Sequence, residues 1–241
     1  MFKLSVIIPI HNEEALIEKS LRETYNFLLS NNNIAEFEFI CIDDGSTDST
    51  RKIIEEIKKD KPQIKINQKR ENRGKGYSVK EGINMAANEY ILFFDADLST
   101  PLKEINNFLE ESKNNNADII IGSRNSNLSK TSRSFKRTII SKTFAILKKI
   151  ICNIYYEDTQ CGFKMFKKEV AKNIFNKITI DGFSFDVELL VIAKKLNYKV
   201  VSKPIEWHEA KSTSLNIFKQ TIKMLKELFI IRSNDKRGLY N

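Results

Sequence analysis

The 241-residue sequence predicts an α/β fold built on a mostly parallel sheet, and three observations carry that reading. Strand-like apolar runs alternate with amphipathic helical stretches through the first half. The strand runs are apolar continuously, not at every second residue. Each run breaks off in a cluster of polar or charged residues. Strict strand–helix alternation implies right-handed crossovers between parallel strands. Continuous apolarity implies that both faces of those strands lie under helices.

The first strand is LSVIIP, followed by the helical stretch EEALIEKSLRETYNFLLS. FEFICI is the second, and STDSTRKIIEEIKKD its helix, with Ser46 or Thr47 expected as the cap. IKIN precedes GKGYSVKEGINMAA, YILFF precedes PLKEINNFLEESK, and ADIIIG is the fifth strand. Beyond Gly122 the alternation fails. SFKRTIISKTFAILKKIICNIYY reads as a basic helix, TQCGFKMF as a short strand, FSFDVELLVIAKKLN as a helix, YKVVSKPIEW as a strand and LNIFKQTIKMLKELFIIR as a closing helix. With no internal repeat, low-complexity tract or Pro/Gly-rich linker, one domain over residues 1–241 is expected, its C-terminal half diverged.

Composition narrows the class. At 41% apolar and 29% charged, with eight Gly and four Pro, the chain is neither disordered nor fibrous. Cys41, Cys152 and Cys161 are odd in number and far apart, with only two histidines in the chain. That argues against a disulfide framework or zinc site and for a reducing cytosol. The opening MFKLSVIIPIHNEE turns acidic after Pro9, unlike a signal peptide, and no run of about 18 apolar residues predicts a transmembrane helix. The net charge of +9 is unevenly placed. Ile119 to Tyr156 contains no acid, yet holds Arg124, Lys130, Arg133, Lys136, Arg137, Lys142, Lys148 and Lys149. Such a stretch suits an anionic partner or surface, and no recognisable motif points to nucleic acid.

In open α/β sheets ligands bind beyond the carboxyl ends of the strands. The residues breaking the five apolar runs are His11, Asn12 and Glu13; Asp43 and Asp44; Asn72 to Gly76; Asp95 and Asp97; and Ser123 with Arg124. Carboxylates beside cations suit Mg or Mn carried on a phosphate-rich nucleotide. Taken singly the motifs are weaker. DADLST is equally at home as a capping turn and lacks the Gly and Glu of a calcium loop, while NRGKGYS is neither a Walker loop nor a GxGxxG fingerprint.

In order and at successive strand ends, VIIPIHNEE, IDDGSTDST, NRGKGYSVKEGI, FFDADLST and GSR resemble the inverting GT-A glycosyltransferases of family 2. DTQCGFKMFKKEVA and FSFDVELLVIA extend the resemblance toward the dolichyl-phosphate glucosyltransferase branch, from Leu4 to about Arg232. The resemblance implies a GT-A fold, with residues 1–124 as the nucleotide-sugar-binding half and 125–241 as the acceptor and membrane-facing half. It implies that Pro9, His11 and Glu13 line the nucleotide base pocket, His11 standing where Tyr is usual. Asp44 holds the nucleoside beside Asp43, with Ile42 and Ala96 in the same binding set. Asp95 and Asp97 correspond to the DxD pair that brings a divalent metal, Mg or Mn, to the diphosphate; Ser99 stands where some relatives have Gln. Arg124 and Lys75 face the diphosphate, and His208 or Lys211 in WHEAKSTSL supplies a further basic group. Asp158 lies by the transferred sugar, and Asp186 stands where hydroxyl-using members keep a base, or else is a helix-start acid.

The activity that the resemblance implies is transfer of glucose from UDP-glucose to a dolichyl or other polyprenyl phosphate. GDP-mannose as donor, or a glycan hydroxyl as acceptor, is the alternative on the same fold. The enzyme would work peripherally on the cytosolic face of a membrane. In the last helix Phe218, Ile222, Leu225 and Phe229 oppose Lys219, Lys223 and Lys226, a pattern that fits either a membrane interface or an ordinary core-facing stripe.

Overall fold

The computed structural model describes residues 1–124, 135–208 and 217–241. The first half runs β1 (Phe2–Ile10), α1 (Ile17–Ser30), β2 (Ile34–Asp43), α2 (Thr50–Lys58), β3 (Ile64–Gln68), α3 (Lys75–Met85), β4 (Tyr90–Phe94), α4 (Glu104–Asn115) and β5 (Ile119–Ser123). The second half runs α5 (Phe135–Cys152), β6 (Phe163–Lys167), α6 (Lys168–Lys177), α7 (Phe185–Lys195), β7 (Val200–Pro204) and α8 (Ile217–Lys236). The seven strands of the described residues join one sheet in the order β3-β2-β1-β4-β6-β5-β7. β1 pairs in parallel with β2 and β4, β2 with β3, and β5 with β7. β6 alone is antiparallel, inserted between β4 and β5. The connections reverse direction at β1, so the crevice beyond the carboxyl ends of β1 and β4 is the switch point where such sheets take ligands.

The continuous apolarity of the strands is explained by two cores, one on each face. Ile7, Ile40, Ile42 and Phe93 point toward α3, α6 and α7, joining Val79, Ile83, Phe175 and Phe185. Val6, Ile8, Phe39, Leu92 and Phe94 point the other way, toward Leu21 of α1, Ile54 of α2 and Phe108 of α4. Helices therefore cover both faces, and polar residues collect at the strand ends.

Two local expectations are corrected. Ser46 and Thr47 do not cap α2, which starts at Thr50 with Asp48 Oδ1 accepting from the Thr50 amide at 3.0 Å. Instead Ser46 Oγ accepts from the Asn12 amide at 2.9 Å, and the Thr47 amide donates to Asn12 Oδ1 at 2.8 Å, which ties the β1–α1 loop to the β2–α2 loop. Helix α6 is the second difference. It starts directly after β6 with no turn residue between to announce it, although Val170, Ala171, Ile174 and Phe175 form a helical buried stripe.

Helix α7 orients the site from below. Glu188, fully buried, accepts from the amides of Thr179 (at 3.1 and 3.0 Å) and Ile180 (2.8 Å), from Thr179 Oγ1 (2.7 Å) and from Tyr240 Oη (2.6 Å). This holds residues 179–182 against the start of α3. A Cβ on Gly76 would lie 2.6 Å from the Ile180 carbonyl oxygen, and one on Gly74 2.5 Å from that of Asp181. The Tyr240 bond is one of several on one carboxylate, so Tyr240→Phe should cost about 1–2 kcal/mol of stability. Denaturant unfolding checks this. An unchanged midpoint would mean that the C-terminal tyrosine does not help hold this segment.

Candidate active site

Every strand that ends at the switch point contributes a loop, and the loops hold one another. The Asp44 amide donates to the Ile10 carbonyl at 2.8 Å. His11 Nδ1 lies 3.0 Å from the Asp44 carbonyl and Asn12 Nδ2 lies 3.3 Å from His11 Nε2, an arrangement satisfied by the neutral tautomer with its proton on Nδ1. Asp43 Oδ1 accepts from the Ser46 amide at 3.0 Å and so shapes the turn. The Asp44 carboxylate accepts from the amides of Arg73 (3.0 Å) and Gly74 (2.7 Å), fastening the NRGKG loop to β2. Gly74 has φ 114°, a conformation open to glycine, and Lys75 begins α3 right after it. Ile42 is fully buried, so its side chain belongs to the core beneath the site; Pro9 is half-buried and Ala96 buried.

At the end of β4, Asp95 and Asp97 share one turn, where Leu98 takes φ 51° and Asp97 Oδ1 accepts from the Ser99 amide at 2.9 Å. Lys75 Nζ forms an ion pair with Asp95 Oδ1. Burial pulls the Lys75 ammonium down, but the nearby carboxylates of Asp95 and Asp186, the hydrogen bond to Asp95 and the charge of Asp97 leave it raised overall. Behind Lys75, Asp186 in the first turn of α7 accepts at 2.5 Å from Lys164 Nζ, which also donates to the Cys161 carbonyl at 2.5 Å. The Lys164 side chain is 0% exposed and that of Asp186 3%. Burial pushes the Asp186 carboxyl up, against the opposing pull of Lys164 and Lys75. Asp95, Lys75, Asp186 and Lys164 thus alternate in sign from the rim inward. Glu13 completes the rim, and its carboxyl is raised by burial and by the charges of Asp97, Asp95 and Asp48.

On the β5 side, Arg124 grips Asp158 from three donors: its amide to Oδ2 (2.9 Å), Nε to Oδ2 (2.7 Å) and Nη2 to Oδ1 (2.8 Å). Burial alone raises the Asp158 carboxyl, but the Arg124 hydrogen bonds and charge outweigh it and hold it below the usual range. The guanidinium also lies 5.6 Å from the Trp207 ring centroid. Lys148, read from the sequence as part of a surface-facing basic stretch, is buried instead. Its Nζ donates to the carbonyls of Tyr156 (2.8 Å) and Glu157 (3.2 Å) and to Thr159 Oγ1 (3.1 Å), pinning the loop that carries Asp158. Burial pulls this ammonium down to about 8.

The structure therefore brings Glu13, Asp44, Lys75, Asp95, Asp97, Arg124, Asp158 and Asp186 to one edge. His208 is exposed and bonds Glu206 through Nε2 at 2.8 Å, while its amide reaches the Ser99 carbonyl at 2.8 Å, tying the end of β7 to the DxD turn. Lys211 lies outside the described residues. Sequence reasoning missed Lys164, Lys148, Trp207 and Gly162. A Cβ on Gly162 would overlap the Asp95 carboxylate, so this position in DTQCG keeps room for the first DxD carboxylate. Among the described residues no three His, Cys, Asp or Glu side chains converge on one point as a closed metal cage. Two carboxylates on one turn do fit Mg or Mn, which at nucleotide sites takes one or two carboxylates and completes its shell with phosphates and water.

The family model of glycosyl transferase family 2 matches residues 5–175. A dolichyl-phosphate beta-glucosyltransferase from Dictyostelium discoideum is 35% identical over 98% of this chain and 76% of its own length. One from Saccharomyces cerevisiae is 31% identical, with the same coverage of both chains. Among solved structures, glucosyl-3-phosphoglycerate synthase from Mycobacterium tuberculosis, bound to Mn2+, UDP-glucose and phosphoglyceric acid, superimposes with a TM-score of 0.68 at 17% identity, over 96% of this chain and 79% of that one. That likeness is one of fold.

This geometry makes two outcomes expected. Gly162→Ala displaces the Asp95 carboxylate and disturbs its ion pair with Lys75, so the protein should stay folded with some loss of stability and lose on the order of 100-fold in turnover, as misplacing a positioned group by about 1 Å does. Normal kinetics would mean that Asp95 needs no fixed position. Asp158→Asn breaks a buried ion pair and should cost about 3–5 kcal/mol. The folded Asp158 carboxyl lies below its unfolded value of about 3.9, so its stabilisation is present above that pH and lost as pH falls through the folded value. Stability measured between neutral pH and about pH 3 should therefore fall less steeply in Asp158→Asn than in the parent.

Proposed function

The chain belongs to glycosyl transferase family 2 and is a glycosyltransferase, and on that premise we propose that it transfers glucose from UDP-glucose to a dolichyl or other polyprenyl phosphate, with inversion at the anomeric carbon. The observation that carries this reading is the 35% identity to a dolichyl-phosphate beta-glucosyltransferase over 98% of the chain. The protein has its site at the carboxyl edge of β1 and β4, and no helix among the described residues is long and apolar enough to cross a membrane. We place it peripherally on the cytosolic face, a reading supported by three cysteines that are free and buried.

In this reading Pro9, His11 and Glu13 flank the base, and Asp44, with its carboxylate on the Arg73 and Gly74 amides, sets the loop against which the nucleoside lies. Asp95 and Asp97 would hold Mg2+ or Mn2+, whose positive charge, when bound, offsets the charge that develops on the diphosphate. Lys75 and Arg124 add fixed cations to the same edge. The glucose C1–oxygen bond to the diphosphate breaks as a lipid phosphate oxygen bonds to C1 from the opposite face, and UDP leaves. Asp158, held by Arg124, lies beside the sugar.

The acceptor chemistry is supported by Asp186. A hydroxyl acceptor needs a base within hydrogen-bond reach. Asp186 is shut from solvent and occupied by Lys164. A phosphate monoester, with its second pKa at ~6, arrives largely ionised at neutral pH and needs no such base.

Purified protein given UDP-glucose, a polyprenyl phosphate and Mn2+ should form glucosyl-phospholipid, detected by mass. Asp97→Ala should lower the rate on the order of 10²–10³-fold, the range for losing a group that stabilises developing charge. A metal-dependent rise in melting temperature with UDP-glucose and not with GDP-mannose would accompany it. Folded protein that makes no lipid product, or that answers only to GDP-mannose, would overturn the assignment.

A further inference from the structure

Helices α5 and α8 pack side by side, with Cys152 Sγ 3.6 Å from the Leu228 carbonyl oxygen. Each has two apolar faces. On α8, Met224, Leu228 and Ile231 are buried in the core, yet Ile222, Phe229 and Ile230 are exposed, Phe229 at 64%. On α5, Phe144, Lys148 and Cys152 point inward at helical spacing, while Ile146 and Ile150 point out, Ile150 at 72%. The core accounts for one stripe on each helix and leaves the other unexplained. Of the stripe that the sequence singled out on the last helix, Ile222 and Phe229 are exposed, Leu225 packs partly buried against the core, and the side chain of Phe218 lies outside those described; Lys223 and Lys226, expected opposite the stripe, are exposed on the same side as Ile222 and Phe229.

With Tyr155, exposed just after α5, these outward apolar side chains make up six of the ten large apolar side chains exposed among the described residues. Cations border them: Lys149 Nζ sits 4.9 Å and Lys194 Nζ 5.8 Å from the Tyr155 ring centroid, and Lys223, Lys226 and Arg232 lie along α8, Arg232 within 3.7 Å of Asp235. The loop that carries Asp158 leaves the patch at Tyr155, three residues before it, and its Gln160 Nε2 lies 4.0 Å from Met224 Sδ on the inner side of α8.

We propose that the outward face of α5 and α8 is the surface by which this protein docks on an anionic lipid bilayer. The inference rests on the lipid-phosphate reading above and names the surface on which that acceptor is met. Apolar side chains ringed by lysine and arginine fit the boundary between acyl chains and anionic headgroups. The same basic ring opposes the other obvious occupant, a second copy of this chain, because a face-to-face pair would set like charges against one another across a low-dielectric seam.

The test compares the parent protein, Ile150→Asp/Phe229→Asp, and Leu29→Asp, which alters an exposed apolar residue on α1 in a different part of the molecule. Sedimentation with phosphatidylcholine vesicles, with and without phosphatidylglycerol, should show parent binding that needs the anionic lipid and weakens with salt. The double variant should bind about tenfold or more weakly, given two apolar side chains lost from the interface, and Leu29→Asp should bind as the parent does. Turnover on a long polyprenyl phosphate in vesicles should fall with binding, while turnover on a short, water-soluble one should not change. Equal vesicle binding by the double variant and the parent, a parent that ignores anionic vesicles, or a parental dimer that the double variant dissolves would each overturn the proposal. Absence of turnover on the short acceptor would count against the assigned reaction, and the vesicle measurement would still decide the docking face.

Discussion

An ionised side chain taken out of water costs several kcal/mol unless an opposite charge and well-directed hydrogen bonds compensate it. The candidate site is arranged around that constraint. Asp95 at the rim is matched by Lys75, Lys75 is flanked by Asp186, and Asp186 is matched by Lys164, whose ammonium is capped by the Cys161 carbonyl. Removing any member leaves its neighbour unpaired. The Lys75 side chain stands at the start of α3, Asp95 ends β4, Asp186 opens α7 and Lys164 lies within β6, so the array also fixes where these four elements meet. The antiparallel β6, which breaks an otherwise parallel sheet, carries Lys164 between β4 and β5 to that meeting point.

A second buried pair does the same work on the other side of the crevice. Arg124 extends from β5 and Asp158 sits on the loop behind it, with Lys148 gripping the loop through two carbonyls and a hydroxyl. Among the described residues no carboxylate touches Lys148, and burial lowers its pKa accordingly. Its three acceptors all lie on residues 156–159, which makes α5 a support for the site as well as a surface helix.

The first half of the fold was legible in the sequence because β4 and the centres of β1 and β2 are largely apolar and each run ends in polar residues, the pattern of a sheet covered on both faces, whereas β3, with Lys65, Asn67 and Gln68, was legible only from its place in the strand–helix alternation. The rim carboxylates were legible for the same reason, since Asp44, Asp95 and Asp97 interrupt apolar runs. Lys164 and Lys148 were not. A lysine in FKMFKK or ILKKII reads as solvent-facing, because lysine is almost never fully buried unless paired. Their partners, Asp186 and the 156–159 loop, are 22 and about ten residues away along the chain, a relation that spacing alone does not reveal. Gly162 was hidden in another way: its role is to leave space for Asp95, and an absent side chain leaves no pattern in a sequence.

The same array bears on how acceptor chemistry can be divided from donor chemistry. A group that must take a proton has to present a lone pair to the acceptor, and so needs an approach free of other donors. Asp186 gives one oxygen to Lys164 and faces the charge of Lys75, both inside the protein, so its environment spends that carboxylate on holding cations. Lys75 in turn pairs with Asp95 at the rim. Asp186 thus acts on the rim through the charge of Lys75, and on the reading proposed above it would serve the donor side of the crevice. An acceptor that brings its own ionised phosphate asks nothing more of the protein than position and access. Position would come from the Arg124–Asp158 side of the crevice, and access from a surface that lets a lipid headgroup reach it.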